Sequence, residues 1–172
     1  MNLILLSGNS LPNEAWIDQV ASSFKDSANV LVHRYRHWKT GEAVIDLDHE
    51  LAELAESITQ FDQYSIFAKS AGTLLAMKGV HEGVLHPAKC VFVGVPINWA
   101  REQKFDLGEW LSDYQVPTLF IQQVDDPYAT FDELKSFIEN AKHPSASFAS
   151  RPGNDHQYAD IDAVKKLTFD FL

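Results

Sequence analysis

"YSIFAKSAGTLLAMKG", Tyr64 to Gly79, changes character halfway along. Tyr64–Ala68 is a short apolar run of strand length, and Gly72–His81 is built from helix formers. Only Lys69, Ser70 and Ala71 separate them, so the chain must pass from strand to helix through one sharp turn. Ser70 stands at its apex, with Ala68 and Gly72 two positions away on either side. Small residues there let the strand and the helix lie close together. Two readings of Ser70 are open. It is an N-cap for the helix, a common role for serine. Or it is a nucleophile, held out at the top of a sheet beside the free N–H groups and positive dipole end of the helix, where a developing oxyanion is stabilised.

The same alternation extends in both directions from this stretch. Apolar runs at 3–7, 29–35, 90–95 and 117–123 read as strands, and a weaker one at 145–150 as a sixth. Between them lie amphipathic segments. Trp16, Val20 and Phe24 repeat at helical spacing, as do Leu47, Leu51, Leu54 and Ile58. Residues 131–141 form another helix, and 158–172 close the chain with Ile161, Val164, Leu167 and Phe171 on one face. Near-continuous apolar strands joined by helices predict a parallel sheet covered on both faces. With right-handed crossovers this is an α/β three-layer sandwich of six parallel strands. Ligands of such folds bind beyond the carboxyl ends of the strands. The one long stretch without clear periodicity, 96–116, carries Trp99, Phe105, Trp110 and Tyr114. It is expected to form either an apolar wall for the site or helical turns packed on the sheet.

With 172 residues, 1–172 is expected to form a single domain. The 24 acidic residues outnumber the 14 basic ones, for a net charge of −10. That field repels phosphates, and no Lys/Arg run offsets it, so no nucleic-acid partner is expected. The apolar N-terminal run ends at Gly8 and Asn9, too short for a leader or a membrane span, so no membrane partner is expected and the expected location is cytoplasmic. The single cysteine, Cys90, heads an apolar run and reads as a small buried hydrophobe.

A serine nucleophile needs a base, and the base needs a carboxylate to orient it. Of the seven histidines, His156 in "RPGNDHQY" follows the sixth strand and so shares an edge with Ser70. His33 and His37 end the second strand and read as a solvated loop or as the lining of a pocket. No carboxylate stands near them in sequence to complete a metal set, and no metal is expected. "QQVDDPYA" places Asp125 and Asp126 after the fifth strand, on that same edge. An exposed turn also favours Asp-Asp-Pro, so this segment alone is weak. The set is stronger, because Ser, Asp and His each follow a strand at one sheet edge.

This arrangement resembles the α/β-hydrolase superfamily, whose nucleophile elbow reads G-x-S-x-G and whose Asp and His come late in the chain. The elbow here is "AKSAG", with Ala68 in the first glycine position. "VDDPYA" is similar to the acid loop and favours Asp126. "PGNDHQY" is similar to the histidine loop, and "LLSGNS" to the first strand and oxyanion loop. The resemblance spans nearly the whole chain and is nearest to small, lidless members. It implies strand order 2-1-3-4-5-6 and a serine hydrolase acting on a small ester or related acyl substrate. It also implies Ser70, Asp126 and His156 as the catalytic triad and backbone N–H groups of Ala71, Gly8 and Asn9 as the oxyanion hole. Trp99, Phe105 and Trp110 would be substrate-binding. No cofactor is implied, and a monomer or homodimer is expected. The sequence departs from the pattern at Lys69, where the family usually has an aromatic or histidine, and at "SGNS", which lacks the glycine run of lipases. A hydrolase fold that binds without efficient turnover is therefore the alternative. A nucleotide-binding α/β domain would need a glycine-rich loop after the first strand, and "SGNSLPNE" has one glycine.

Overall fold

The run Leu3–Leu6 has no exposed surface at all, and neither do Ile66–Ala68 or Cys90–Val93. Strands this apolar on both faces are stable only where helices cover both sides. The computed structural model, which describes all of residues 1–172, shows that arrangement. Its strands are β1 (Asn2–Leu6), β2 (Asn29–Val32), β3 (Ser65–Lys69), β4 (Cys90–Val93), β5 (Thr118–Gln123) and β6 (Ala146–Arg151). All pair in parallel, in the order β2-β1-β3-β4-β5-β6. This is the parallel six-stranded order that the resemblance implies. The order reverses between β1 and β3, which opens the crevice where the site is sought.

The helices are α1 (Pro12–Phe24), α2 (His37–Thr40), α3 (Leu47–Ile58), α4 (Ala71–His81), α5 (Ile97–Glu102), α6 (Leu107–Leu111), α7 (Phe131–Asn140) and α8 (Ile161–Phe171). α1 packs with α8 on one face, and α4 packs with α3 and α6 on the other. Caps set several boundaries. The Asp46, Asp106 and Asp160 carboxylates accept from the third residue of α3, α6 and α8. Thr130 and Glu133 form a capping box that starts α7. Gly79 lets α4 lie close to Leu51 and Leu85: a methyl group there would lie 2.5 Å from the Leu85 side chain, which would have to shift.

The aperiodic stretch 96–116 takes the second of its two readings: it contains the short helices α5 and α6, which bury Ile97, Ala100, Leu107 and Leu111. One region differs from the sequence reading. The segment after β2 is not a solvated loop. It forms α2, and His33 and His37 are both buried. Glu50, although distant in sequence, is brought by α3 to 2.8 Å from His33 Nε2, and its other oxygen accepts from Arg36 N–H. Cys90 is buried in β4, and burial pushes its thiol up to about 12. No helix is long and apolar enough to cross a membrane.

Candidate active site

The turn from β3 to α4 is strained. Ser70 has φ 51° and ψ −123°, a conformation costly for any residue with a side chain. It is held by hydrogen bonds on both sides: Ser70 N–H donates to Val93 O, and Ser70 O accepts from Thr73 N–H and Thr73 Oγ1. Gly72 N–H donates to Ser7 O, which brings α4 against the end of β1. A methyl group on Gly72 would lie 2.7 Å from that carbonyl, so only glycine fits the second small position of the elbow. The strain serves an orientation, and the cap reading of Ser70 fails. Its hydroxyl makes no capping hydrogen bond. Instead, Ser70 Oγ lies 2.9 Å from His156 Nε2.

His156 is presented by the loop after β6, also with positive φ (59°). Its Nδ1 lies 2.7 Å from Asp126 Oδ2. A carboxylate can only accept, so Nδ1 carries the proton and Nε2 is left to accept from the Ser70 hydroxyl. Asp126 is buried and further fixed by Tyr128 N–H (2.9 Å) and the Tyr158 hydroxyl (2.7 Å). Its neighbour Asp125 is exposed and offers the site only its backbone N–H, which donates to Gly153 O. The sequence-based choice of Asp126 over Asp125 is the one the geometry brings to His156.

Sequence reasoning missed the residues that support this line. Tyr158 is buried, adopts φ 55°, accepts from Gln123 N–H and donates to Asp126. Burial first, and the Asp126 charge second, push its phenol far up, so it stays a donor. The Gln123 amide holds the histidine loop, accepting from the N–H groups of Asp155 and His156 and donating to Asp155 Oδ1. Gln122 does the same for the neighbouring loops, accepting from Val95 N–H and donating to Ala129 O. The signal was available: two glutamines end an otherwise apolar buried strand, and buried amides must have partners.

The loop after β1 is held from the opposite side. Ser7 O accepts from Gly72 N–H and from the Tyr35 hydroxyl. Asn9 O accepts from His37 Nε2 and Trp38 Nε1, while the Asn9 side chain bonds Ala43 O and Ile45 N–H. The backbone N–H groups of Gly8, Asn9, Ser10 and Ala71 have no partner. Gly8 departs from the sequence reading. In a trans peptide its N–H points opposite to Ser7 O, and that carbonyl faces the elbow, so the Gly8 N–H faces away. Its role is spatial: a side chain there would meet the Asn13 amide at 2.6 Å.

A cleft of about 120 Å³ opens over Ser70, lined by Asn9, Ser10, Asn13, Pro96, Trp99, Tyr128 and His156. A second lobe of about 180 Å³ shares Ser10, Asn13, Tyr128 and His156 with it and adds Trp16, Lys69, Asp155 and Gln157. Of the three aromatics expected to bind substrate, only Trp99 lines the cleft. Phe105 stacks edge-on behind it and Trp110 stands behind Phe105, over Lys78 of α4. α6, which carries Trp110, packs on α4. No cluster of three or more His, Cys, Asp or Glu side chains is arranged to hold a metal ion.

No protein-family model matches the sequence, and no curated protein does. Solved structures do match the fold. An esterase of Pyrococcus furiosus is 19% identical, with a TM-score of 0.78 over 99% of this chain and 81% of that one. A YdeN-like hydrolase of Pectobacterium atrosepticum is 19% identical, with a TM-score of 0.73 over 99% and 89%. The N-formylmaleamic acid deformylase of Pseudomonas putida is 13% identical, with a TM-score of 0.72 over 97% and 90%.

Proposed function

We propose that this protein is a serine hydrolase that cleaves small esters through an acyl-enzyme. The observation that carries the reading is the hydrogen-bonded line from Ser70 Oγ through His156 to buried Asp126. His156 Nε2 takes the Ser70 proton as Oγ attacks the carbonyl carbon, and Asp126 holds the ring and stabilises the imidazolium. The carbonyl oxygen, now negative, is met by the unpartnered N–H groups of Ala71 and Asn9, with Ser10 N–H beside them. His156 then protonates the leaving alcohol. Water attacks the acyl-enzyme with His156 again as base, and Ser70 is regenerated.

The size of the site supports a small substrate. The two lobes, about 120 and 180 Å³, together reach only the lower end of the usual range of ligand pockets. Trp99, Pro96 and the Asn9–Ser10 backbone suit a short acyl chain. The second lobe, with Asn13, Asp155 and Gln157, suits a polar alcohol. The fold similarity to esterases and other hydrolases points the same way.

The test is labelling by a fluorophosphonate probe together with hydrolysis of 4-nitrophenyl acetate, butyrate and octanoate. Wild type should label and should prefer the shorter esters. Ser70→Ala and His156→Ala should lose both activities with unchanged melting temperatures. Equal labelling in all three proteins would sink the reading.

A further inference from the structure

Lys69 precedes the nucleophile, where the sequence offers no reason for a lysine. It ends β3 and is only 3% exposed. Its Nζ lies 4.8 Å over the Trp16 ring and donates to Asn13 Oδ1 at 2.7 Å. Asp126 and Asp155 act on it only from a longer range, and burial lowers its pKa to about 8. A buried cation with no ion pair is costly. A methionine of similar length would fill the same space without that cost.

What the ammonium holds is Asn13, and Asn13 underlies the loop after β1. The Asn13 amide nitrogen donates to Ser10 O (3.1 Å) and Ser10 Oγ (2.7 Å), and its backbone carbonyl accepts from Ser7 Oγ (2.9 Å). The amide plane fills the space that a Gly8 side chain would need. An asparagine amide can flip by exchanging its oxygen and nitrogen. Lysine is a donor only, so with Nζ against Oδ1 the nitrogen must face Ser10. The elbow thereby fixes which way Asn13 points, and Asn13 fixes the loop.

We propose that Lys69 is a positioning residue: acting through Asn13, it holds the Asn9 and Ser10 N–H groups in register with the Ala71 N–H, so that the two halves of the oxyanion hole move as one unit. The proposal rests on the serine-hydrolase reading and extends it to residues outside the triad. Because an oxyanion forms only in the transition state, the brace acts on turnover more than on substrate binding. Misplacing the donors by about 1 Å would cost roughly 10²-fold.

The experiment compares wild type, Lys69→Met, Asn13→Ala and the double variant. Each is measured for kcat and KM on 4-nitrophenyl acetate and for amide hydrogen exchange of the segment 7–13. Both single variants should lose roughly 10²-fold in kcat with KM within about twofold. The double variant should fall no further than the worse single one, because both cut the same chain of contacts. Exchange across 7–13 should quicken in Lys69→Met without any substrate present. Multiplying losses in the double variant, or an unchanged kcat in Lys69→Met, would overturn the proposal. Unchanged exchange would overturn it even if wild type hydrolyses no ester. Faster exchange in a protein whose wild type is inactive would keep the brace and sink only the hydrolase reading. Lys69→Gln, too short to reach Asn13 but still polar, serves in place of Lys69→Met should that variant fail to fold.

Discussion

The two edges of the sheet make different use of the same chain. The amino edge holds a hollow of about 680 Å³ between Met1, Asn29, Gln63, Tyr64, Lys89 and Leu172. No residue lining it has positive φ, and it holds no serine–histidine contact. Its lysine, Lys89, is occupied by the carbonyl oxygens of Phe171 and Leu172. At the carboxyl edge, the cleft over Ser70 and the lobe beside it are smaller. Yet three of the five non-glycine residues with positive φ stand there: Ser70, His156 and Tyr158. Buried Asp126, Gln122, Gln123 and Lys69 are gathered there too. Strain and buried polar groups are costly and persist only where the surroundings hold them in place. Their concentration at one edge marks the chemistry better than the size of a hollow does.

Ser70→Ala should lower ester hydrolysis by on the order of 10⁴-fold or more, read as initial rates with 4-nitrophenyl acetate. Asp126→Asn should cost about 10⁴-fold by leaving the wrong histidine tautomer, while Asp125→Asn stays within about twofold. The reverse order would assign the acid to the wrong residue.

Lys69 sharpens the contrast through stability. Unfolded, it carries its proton up to about 10.5; folded, it releases it at about 8. Between those values the unfolded chain binds more protons, so wild-type stability should rise with pH by about 3 kcal/mol. Lys69→Met should lack that rise and should be the more stable protein below pH 8. Denaturant melts from pH 7 to 10.5 measure both. A flat wild-type profile would show that the buried charge costs nothing.

Tyr158→Phe removes one donor to Asp126 and the acceptor for Gln123 N–H. It should lower stability by about 1–2 kcal/mol and the rate by roughly tenfold, through a less constrained Asp126. At the amino edge, Asn29→Ala and Gln63→Ala should leave the rate unchanged despite lining the larger hollow. A drop in kcat for either would mean that the two edges are coupled.

The order of elements was legible because it depends on local pattern. The spacing of Leu47, Leu51, Leu54 and Ile58 needs only a helix to be visible, and "YSIFA" needs only a strand. Ser70, Asp126 and His156 could be selected because each follows a strand, and strands of a parallel sheet end on the same side. The short helices α2, α5 and α6 were less legible, since each has too few turns to show a period. The pairing of His33 with Glu50 joins residues whose relation depends on how α3 packs, and no spacing records that.

By itself, then, the sequence determined the alternation of strands and helices, the small residues of the elbow and the side of the sheet on which the candidate residues gather. These follow from covalent sterics and from the periodicity of apolar side chains. Packing decided that the Ser70 hydroxyl turns to His156 rather than to its own helix, that Gly8 makes room for Asn13, that Trp110 stands outside the cleft and that Lys69 reaches Asn13 at the start of α1. Each of those outcomes is a contact between segments distant in sequence, fixed by burial, which forces every enclosed donor and acceptor to find a partner wherever the packing has placed one.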